Sequence, residues 1–546
     1  MKADNVSKFG FKNVKRSNFN LFLLLTFFIV AAFGLIHHEM WRDELEAWLI
    51  ARDSISVNDL LDNLKYTGHP ALWYLCLYLL SKVTDNPLII QLFHLIVATV
   101  VIFIFIYYST FNKLQKALFC FGYFPLYEYG IISRSYSLGV LFIFSFCTLF
   151  CRKKHNYIYL AVILALLSNT SVYGLIISFV FAVVLIFTIV KKISLKKTLL
   201  QQRDLASKLA ISITIYLLGL SASVIQIIPP SDGNSEVNIN VLRNKSNIDI
   251  AQASGELSKF IKSLQNAVTG IWRSYVPIPN FSKDHCWGSN ILTGNTQLPE
   301  IANINLGSFI AAFLSIILFS IFAFIFIYNY KVLFIYVFGT LSITLFGLVV
   351  TTPRIRHNGH LFILLIACFW IHIYESRRKR YNLNQNHVTS LIHKYQSLFL
   401  TIILCIQLYA GIGMYAVDSI RLFSNSQNAA QFIKDNQLEK LTIVGSDYKK
   451  VAPISAWLNR KIYYPEIRDF GTFTVWTSKN VRLNTDITQL DILRQVEQLK
   501  VDNSDSLLLI LDHRLRETST SLDINFLVSY EDSIVAEEKY FIYYVN

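Results

Sequence analysis

Apolar residues along this chain come in long runs separated by short polar connectors. Runs of spanning length, or close to it, occupy 19–36, 87–108, 114–130, 136–151, 157–170, 172–190, 209–228, 306–328, 332–350, 360–375 and 396–416. A helix needs about 20 mostly apolar residues to cross a hydrocarbon core. The pattern therefore predicts an all-α polytopic membrane protein with about eleven transmembrane helices. One further run, Ala71 to Leu80, is too short to cross comfortably. The basic residues decide where it goes. If it does not cross, Lys113/Lys116, Arg152/Lys153/Lys154, Lys191/Lys192 with Lys196/Lys197, Lys331 and Arg377/Arg378/Lys379/Arg380 all fall on the side of the N-terminus. Cytoplasmic connectors carry the Lys/Arg excess. The expected arrangement thus has the N-terminus inside and the C-terminus outside, with the segment from His69 onward a re-entrant or surface helix on the outer side.

The stretch His37 to Asp53, HHEMWRDELEAWLIARD, follows the first run almost without a gap. As a helix it places Trp41, Leu45, Trp48 and Leu49 on one apolar face and Asp43 and Glu46 on another. One expectation is a helix lying on the membrane surface, with tryptophans at the interface and carboxylates held over the bilayer. The simpler one is an ordinary solvated loop helix.

The ends of the chain read differently. Residues 1–18 form a basic cytoplasmic segment, with Lys8, Lys12, Lys15 and Arg16 ahead of the first run. No small-residue cleavage site follows, so that run is expected to stay as an uncleaved first span. Residues 19–416 make the transmembrane region. Residues 417–546 change pattern: KLTIVGSD and SLLLILDHR read as short apolar strands, AAQFIKD and LDILRQVEQL as helices. That alternation predicts a small α/β extracytoplasmic domain. It has no Gly-rich phosphate loop and is expected to support acceptor binding or to pack on the outer loops.

Composition narrows the classes. Of 546 residues, 53% are hydrophobic, which excludes an ordinary soluble domain. The formal charge of +14 does not point to nucleic acid, because the positive residues sit in connectors. Six of the seven cysteines lie in or beside apolar runs, and no CxxC pair occurs. Neither a disulfide framework nor a zinc site is indicated.

The topology gathers the unusual polar residues on the outer side. Glu128 and Arg134 lie in EYGIISRS between two apolar runs. They read either as an ion pair satisfying itself or as an acid and a base lining a cavity. Arg354, Arg356, His357 and His360 in PRIRHNGH form a compact cationic cluster at a span start. Snorkelling to lipid headgroups is one reading, and a phosphate site using the planar fork of arginine is the other. His69-Pro70 can simply start a helix, and Asn169-Thr170 can be a capped break in an apolar run. The outer loop 229–305, with GIWRSYVPIPNF, is either a lid over an acceptor site or a connector.

An acidic pair soon after the first span, then His-Pro opening an apolar segment, then Arg-x-Tyr at the outer end of a later span, resembles the GT-C glycosyltransferases. The nearest likeness is to the branch of protein mannosyltransferases, lipid A aminoarabinose transferases and RgtA/B/C/D-like enzymes. It covers roughly residues 19–375. The resemblance implies a GT-C-like bundle that takes a sugar from a polyprenyl-phosphate donor and transfers it on the outer face. By resemblance Asp43 is the catalytic acid of the first outer loop, with Glu44 beside it. His69 and Pro70 match the His-Pro after that loop, and Arg134, followed by Tyr136, matches the outer-face arginine. Two positions depart from the pattern: Ala71 stands where a second proline is common, and the acid nearest Arg134 is Glu128.

The same residues suit the chemistry without the family. Displacing a lipid phosphate from an anomeric carbon needs a base for the acceptor's proton, here Asp43 with Glu44 second. It also needs positive charge on the departing phosphate, here Arg134 and Arg356 helped by His357 and His360. His69, Glu128 and Tyr136 are expected to support the site. Direct displacement predicts inversion. Asp43, Glu44, Glu46 and Glu128 also offer oxygen ligands to a divalent cation, Mg²⁺ or Mn²⁺, though their spacing is not diagnostic. The expected partners are a polyprenyl-phosphate sugar, membrane lipids and a glycolipid, polysaccharide or protein acceptor. The expected location is a bacterial inner (plasma) membrane. A polytopic transporter or flippase of a lipid-linked or anionic substrate is the alternative. It calls for internal repeats and mid-span polar residues, and the sequence displays neither.

Overall fold

The computed structural model describes residues 17–196, 198–232, 250–293, 300–301, 304–350, 354–380, 387–503, 506–516 and 522–546. The chain is mostly helical, with one sheet region near its C-terminus. Among the described residues, eight helices are long and apolar enough to cross a membrane, as an integral membrane protein requires. They are Asn18–His37, Leu88–Tyr108, Val172–Ser194, Leu199–Ile227, Leu306–Phe326, Tyr330–Val349, Ile355–Arg378 and Tyr395–Ile420.

The other three expected spans are shorter or broken. Tyr136–Phe150 and Tyr157–Ser168 are helices of 15 and 12 residues. At about 1.5 Å per residue they fall short of a full hydrocarbon core. The 114–130 run is not one helix. Lys113–Cys120 ends at Phe121-Gly122, and a wide π-helical turn, Tyr123–Glu128, follows with every residue buried. Pro125 inside that turn has no N–H to offer a regular helix. The Tyr395–Ile420 helix also presses against the break: a Cβ on Gly411 would come within 2.7 Å of the Phe121 carbonyl. Irregular backbone is tolerated at membrane depth only where protein encloses it, and every residue of this turn is enclosed by protein.

Ala71 to Leu80 is a separate helix, Leu72–Ser81, entered through His69-Pro70. It packs against the helix Arg42–Asp53. That helix starts with Asp43 and Glu44 in its first turn, where the helix dipole favours acids. Its expected apolar face exists, but it does not meet lipid. Trp41, Leu45, Trp48 and Leu49 are all fully buried, and Trp48 shares a cluster with Trp73 and Leu77 and with Ala452 and Ala456 of the C-terminal region. The reason is tertiary: its apolar side chains are covered by Leu72–Ser81 and by Tyr448–Leu458 of the C-terminal region. The helix lies between the membrane bundle and the C-terminal region.

That region holds six strands: β3 (Thr442–Ser446), β4 (Ile462–Tyr464), β5 (Asp469–Gly471), β6 (Leu507–Leu511), β7 (Ile524–Tyr530) and β8 (Tyr540–Val545), in the order β5-β4-β3-β6-β8-β7. The central β4-β3-β6 pairings are parallel and the outer ones antiparallel. All five residues of β6 are buried, as a strand covered on both faces demands. Ile443, Leu508 and Ile510 pack under the helices Ser426–Asp435 and Tyr448–Leu458. Val444, Leu507, Leu509 and Leu511 pack on the opposite face under Ile492, Leu493 and Val496 of Gln489–Asn503. A short ribbon, β1 (Glu300–Ile301) with β2 (Ile304–Asn305), completes the strands described.

Candidate functional site

Three arginines from three parts of the chain meet at Asp43. Arg134 Nη1 lies 2.7 Å and Arg356 Nη2 3.1 Å from Asp43 Oδ2, and Arg42 Nε lies 3.4 Å from Oδ1. Arg42 is the residue before Asp43. Arg134 comes from the link between the π-helical turn and Tyr136–Phe150, and Arg356 from the first turn of Ile355–Arg380. The Trp41 ring carries all three guanidinium groups at 5.1–6.0 Å. Trp287 faces Arg356 at 5.7 Å and Tyr136 faces Arg134 at 5.2 Å. Burial by itself would raise the Asp43 carboxyl, but Arg134, Arg356, Arg42 and Arg354 hold it well below the usual carboxylate range. The cluster has donors to spare. Arg356 Nε and the Trp41 indole N–H are buried without an acceptor. Desolvated donors of this kind want an anion.

His69 sits beside this cluster. Burial, then Arg134, pushes its imidazole down to about 4, so it is neutral near pH 7. His357 and His360 lie behind the arginines in an aromatic stack on Tyr173, at ring distances of 5.4 and 4.7 Å. Tyr136 touches both histidine rings. His360 Nδ1 meets the Tyr129 hydroxyl at 3.2 Å, and its Nε2 has no partner. Neither histidine reaches Asp43. Pro353 of the same motif lies outside the described residues.

Glu44, one residue from Asp43, points elsewhere. It is 1% exposed and accepts from Ser133 N at 2.6 Å, from Trp41 N at 3.2 Å and meets His38 Nε2 at 3.1 Å. His38 Nδ1 in turn meets Asp418 at 2.9 Å. Burial alone would lower His38, but Asp418 and Glu44 together hold it well above its ordinary value. Glu44 is therefore a joint between the first loop, the Arg134 link and the Tyr395–Ile420 helix. Glu128 does not pair with Arg134. It accepts from the Tyr123 hydroxyl at 2.9 Å and from Trp287 Nε1 at 3.1 Å. The self-satisfying Glu128–Arg134 pair does not form because Asp43 takes the arginine.

Asp43, Glu44, Glu46 and Glu128 do not converge as a metal set. Among the described residues no group of three or more His, Cys, Asp or Glu is placed to hold a metal ion. Glu46, one turn beyond Asp43, accepts instead from Trp476 Nε1 at 2.7 Å, a residue of the C-terminal region. Burial, then the nearby Asp43 charge, raises Glu46. Glu538 accepts from Arg42 N at 2.7 Å and Glu537 meets Arg42 Nη1 at 3.3 Å. Sequence reading missed Trp287, Trp476 and Glu538. Nothing near them in the chain marks them, and only tertiary contact brings them to the site. Arg42 had a signal, its place beside Asp43.

No protein-family model, curated protein or solved structure matches the chain.

Proposed function

We propose that the chain is an inverting membrane glycosyltransferase of GT-C type. It moves a sugar from a polyprenyl-phosphate donor to an acceptor at the outer face, with Asp43 as base. The observation that carries this reading is the convergence of Arg42, Arg134 and Arg356 on one carboxylate at the end of the bundle, with Arg356 Nε and Trp41 Nε1 left unpartnered.

In this mechanism Asp43 holds the site of the donor phosphate while the site is empty. The incoming phosphate takes over Arg134 and Arg356, whose forks suit its oxygens. Asp43 then loses the charges that depress it and becomes a competent base. The acceptor hydroxyl attacks the anomeric carbon, its proton passes to Asp43, and the carbon–oxygen bond to the phosphate breaks with its electron pair. Polyprenyl phosphate leaves, held by the arginines. His357 and His360 back the arginines through the Tyr136–Tyr173 stack without touching the phosphate, and Glu44 fixes the loop. The membrane supplies the lipid tail, so the phosphate rests at headgroup depth, where span-end arginines meet it.

The test uses membranes holding wild-type chain or Asp43→Asn, given radiolabelled polyprenyl-phosphate sugars and a crude envelope extract. The expected result is transfer by the wild type with inversion at the sugar carbon, and loss in the variant. A retained configuration overturns the direct displacement. Absence of transfer from every lipid donor, by a folded chain, overturns the reading in favour of a transporter.

A further inference from the structure

The sheet of the C-terminal region reverses its winding between β3 and β6. These strands are parallel neighbours, with β4 beyond one and β8 beyond the other. The crossover helix Tyr448–Leu458 leaving β3 covers one face, and Gln489–Asn503 leading to β6 covers the other. Open α/β sheets hold ligands outside the carboxyl ends of the strands at such a reversal. Here those ends carry chemistry. Asp447 follows β3, Asp512 follows β6, and Glu466 lies two residues past β4. Lys450 Nζ bridges Asp512 at 2.5 Å and Asp447 at 3.4 Å, and His513 Nδ1 meets Asp512 at 2.5 Å.

Two buried groups there lack partners. Glu466 is 4% exposed; its Oε1 accepts from Ser446 Oγ at 2.6 Å, and its Oε2 bonds to nothing. Tyr448 is 2% exposed and its hydroxyl is also unpartnered. Burial, the main cause, pushes Glu466 up to about 7, so it carries its proton much of the time near neutrality and can donate as well as accept. These ends face the Asp43 cluster. Tyr448 lies within electrostatic reach of both Glu466 and Glu46. Tyr540, whose hydroxyl donates to the Lys450 carbonyl at 2.8 Å, senses both Asp447 and Arg42. Trp476 bonds to Glu46 and lies under Lys449 Nζ at 4.1 Å.

We propose that this strand-end site is the acceptor subsite and that it takes a hydroxyl-rich, non-anionic glycan; the proposal rests on the glycosyltransferase reading above. A sugar hydroxyl donates to Asp447 or Asp512 and accepts from Tyr448 or protonated Glu466, satisfying both orphaned groups. The carboxylates of Asp447, Asp512 and Glu46 repel an acidic glycan. A metal ion is the poorer occupant, because the Lys450 ammonium already fills the place between Asp447 and Asp512. The division is then by charge: cationic residues on the membrane side for the donor phosphate, acids on the α/β side for the acceptor.

The experiment takes the full-length chain in detergent and measures saturation-transfer NMR with three tetrasaccharides of matched length, a neutral glucan, a glucosamine oligomer and a uronate oligomer. Binding of farnesyl phosphate is measured separately. The neutral and amino glycans are expected to bind, with the uronate at least about tenfold weaker. Asp447→Asn with Asp512→Asn is expected to weaken glycan binding about tenfold and leave farnesyl phosphate binding intact. If that double variant does not fold, Tyr448→Phe, which removes only the unpartnered hydroxyl, carries the same expectation. Glycan binding that is absent, indifferent to these substitutions or best for the uronate overturns the proposal. Loss of farnesyl phosphate binding to the wild type, with variant-sensitive glycan binding retained, overturns the transferase reading and leaves the glycan site standing.

Discussion

Two ion clusters grow from adjacent residues of one helix, and they have opposite characters. Around Asp43 the partners are three arginines with 9–15% exposed side chains and unpartnered donors nearby. Around Glu44 the partners are two backbone amides and His38, all enclosed. Consecutive residues on a helix point about 100° apart. One carboxylate is therefore held among the arginines and the other is driven into the protein. A cluster with unmet donors can exchange partners, whereas a saturated one can only break. That difference separates a group fit for chemistry from one that holds structure.

The sharpest break in the comparison is expected from Asp43→Asn. On the proposed mechanism this removes the general base, a loss of about 10²–10⁴ in rate, to be read as kcat in a transfer assay, with the thermal midpoint moving less than in Glu44 variants. Glu44→Leu should do the reverse. It strands His38 beside Asp418 and frees the Ser133 amide, and breaking a buried pair costs about 3–5 kcal/mol. Thermal unfolding in detergent checks this, and a wild-type midpoint would show that the joint is dispensable. Arg356→Lys keeps the charge but loses the fork and the stacking on Trp41. About a tenfold rise in donor KM is expected, exceeding any change in kcat, if the arginine binds phosphate.

A smaller effect separates the clusters from the contact that closes over them. Burial pushes Glu538 up to about 7 in the folded chain, against about 4.3 unfolded. The folded state then binds the extra proton, so stability falls as pH rises from about 4.3 to about 7 and levels above. Glu466 acts in the same sense. Glu538→Gln should flatten part of that slope in melts taken across pH, and an unchanged slope would place Glu538 outside the coupling. Smallest of all, Trp476→Phe removes one hydrogen bond to Glu46, worth about 1 kcal/mol. A modest rise in acceptor KM with donor KM unchanged is expected.

The sequence by itself determined the class of fold, because apolar runs of spanning length have no other stable home. It also placed the strands at KLTIVGSD and SLLLILDHR, and it singled out Asp43, Arg134 and Arg356, since charges crowded against apolar runs are costly unless used. Tertiary structure decided the rest. Pro125 and the close approach of Gly411 turned the 114–130 run into a broken, enclosed segment. The helix carrying Asp43 went between two protein layers instead of onto lipid, because Trp48 is buried in one apolar cluster with Trp73 and Ala456. Glu44 and Glu128 read as chemistry, yet Glu44 is tied to Ser133 and His38, and Glu128 Oε2 to Tyr123 and Trp287. Side-chain direction and partners hundreds of residues away are set by packing, which no local pattern of residues encodes.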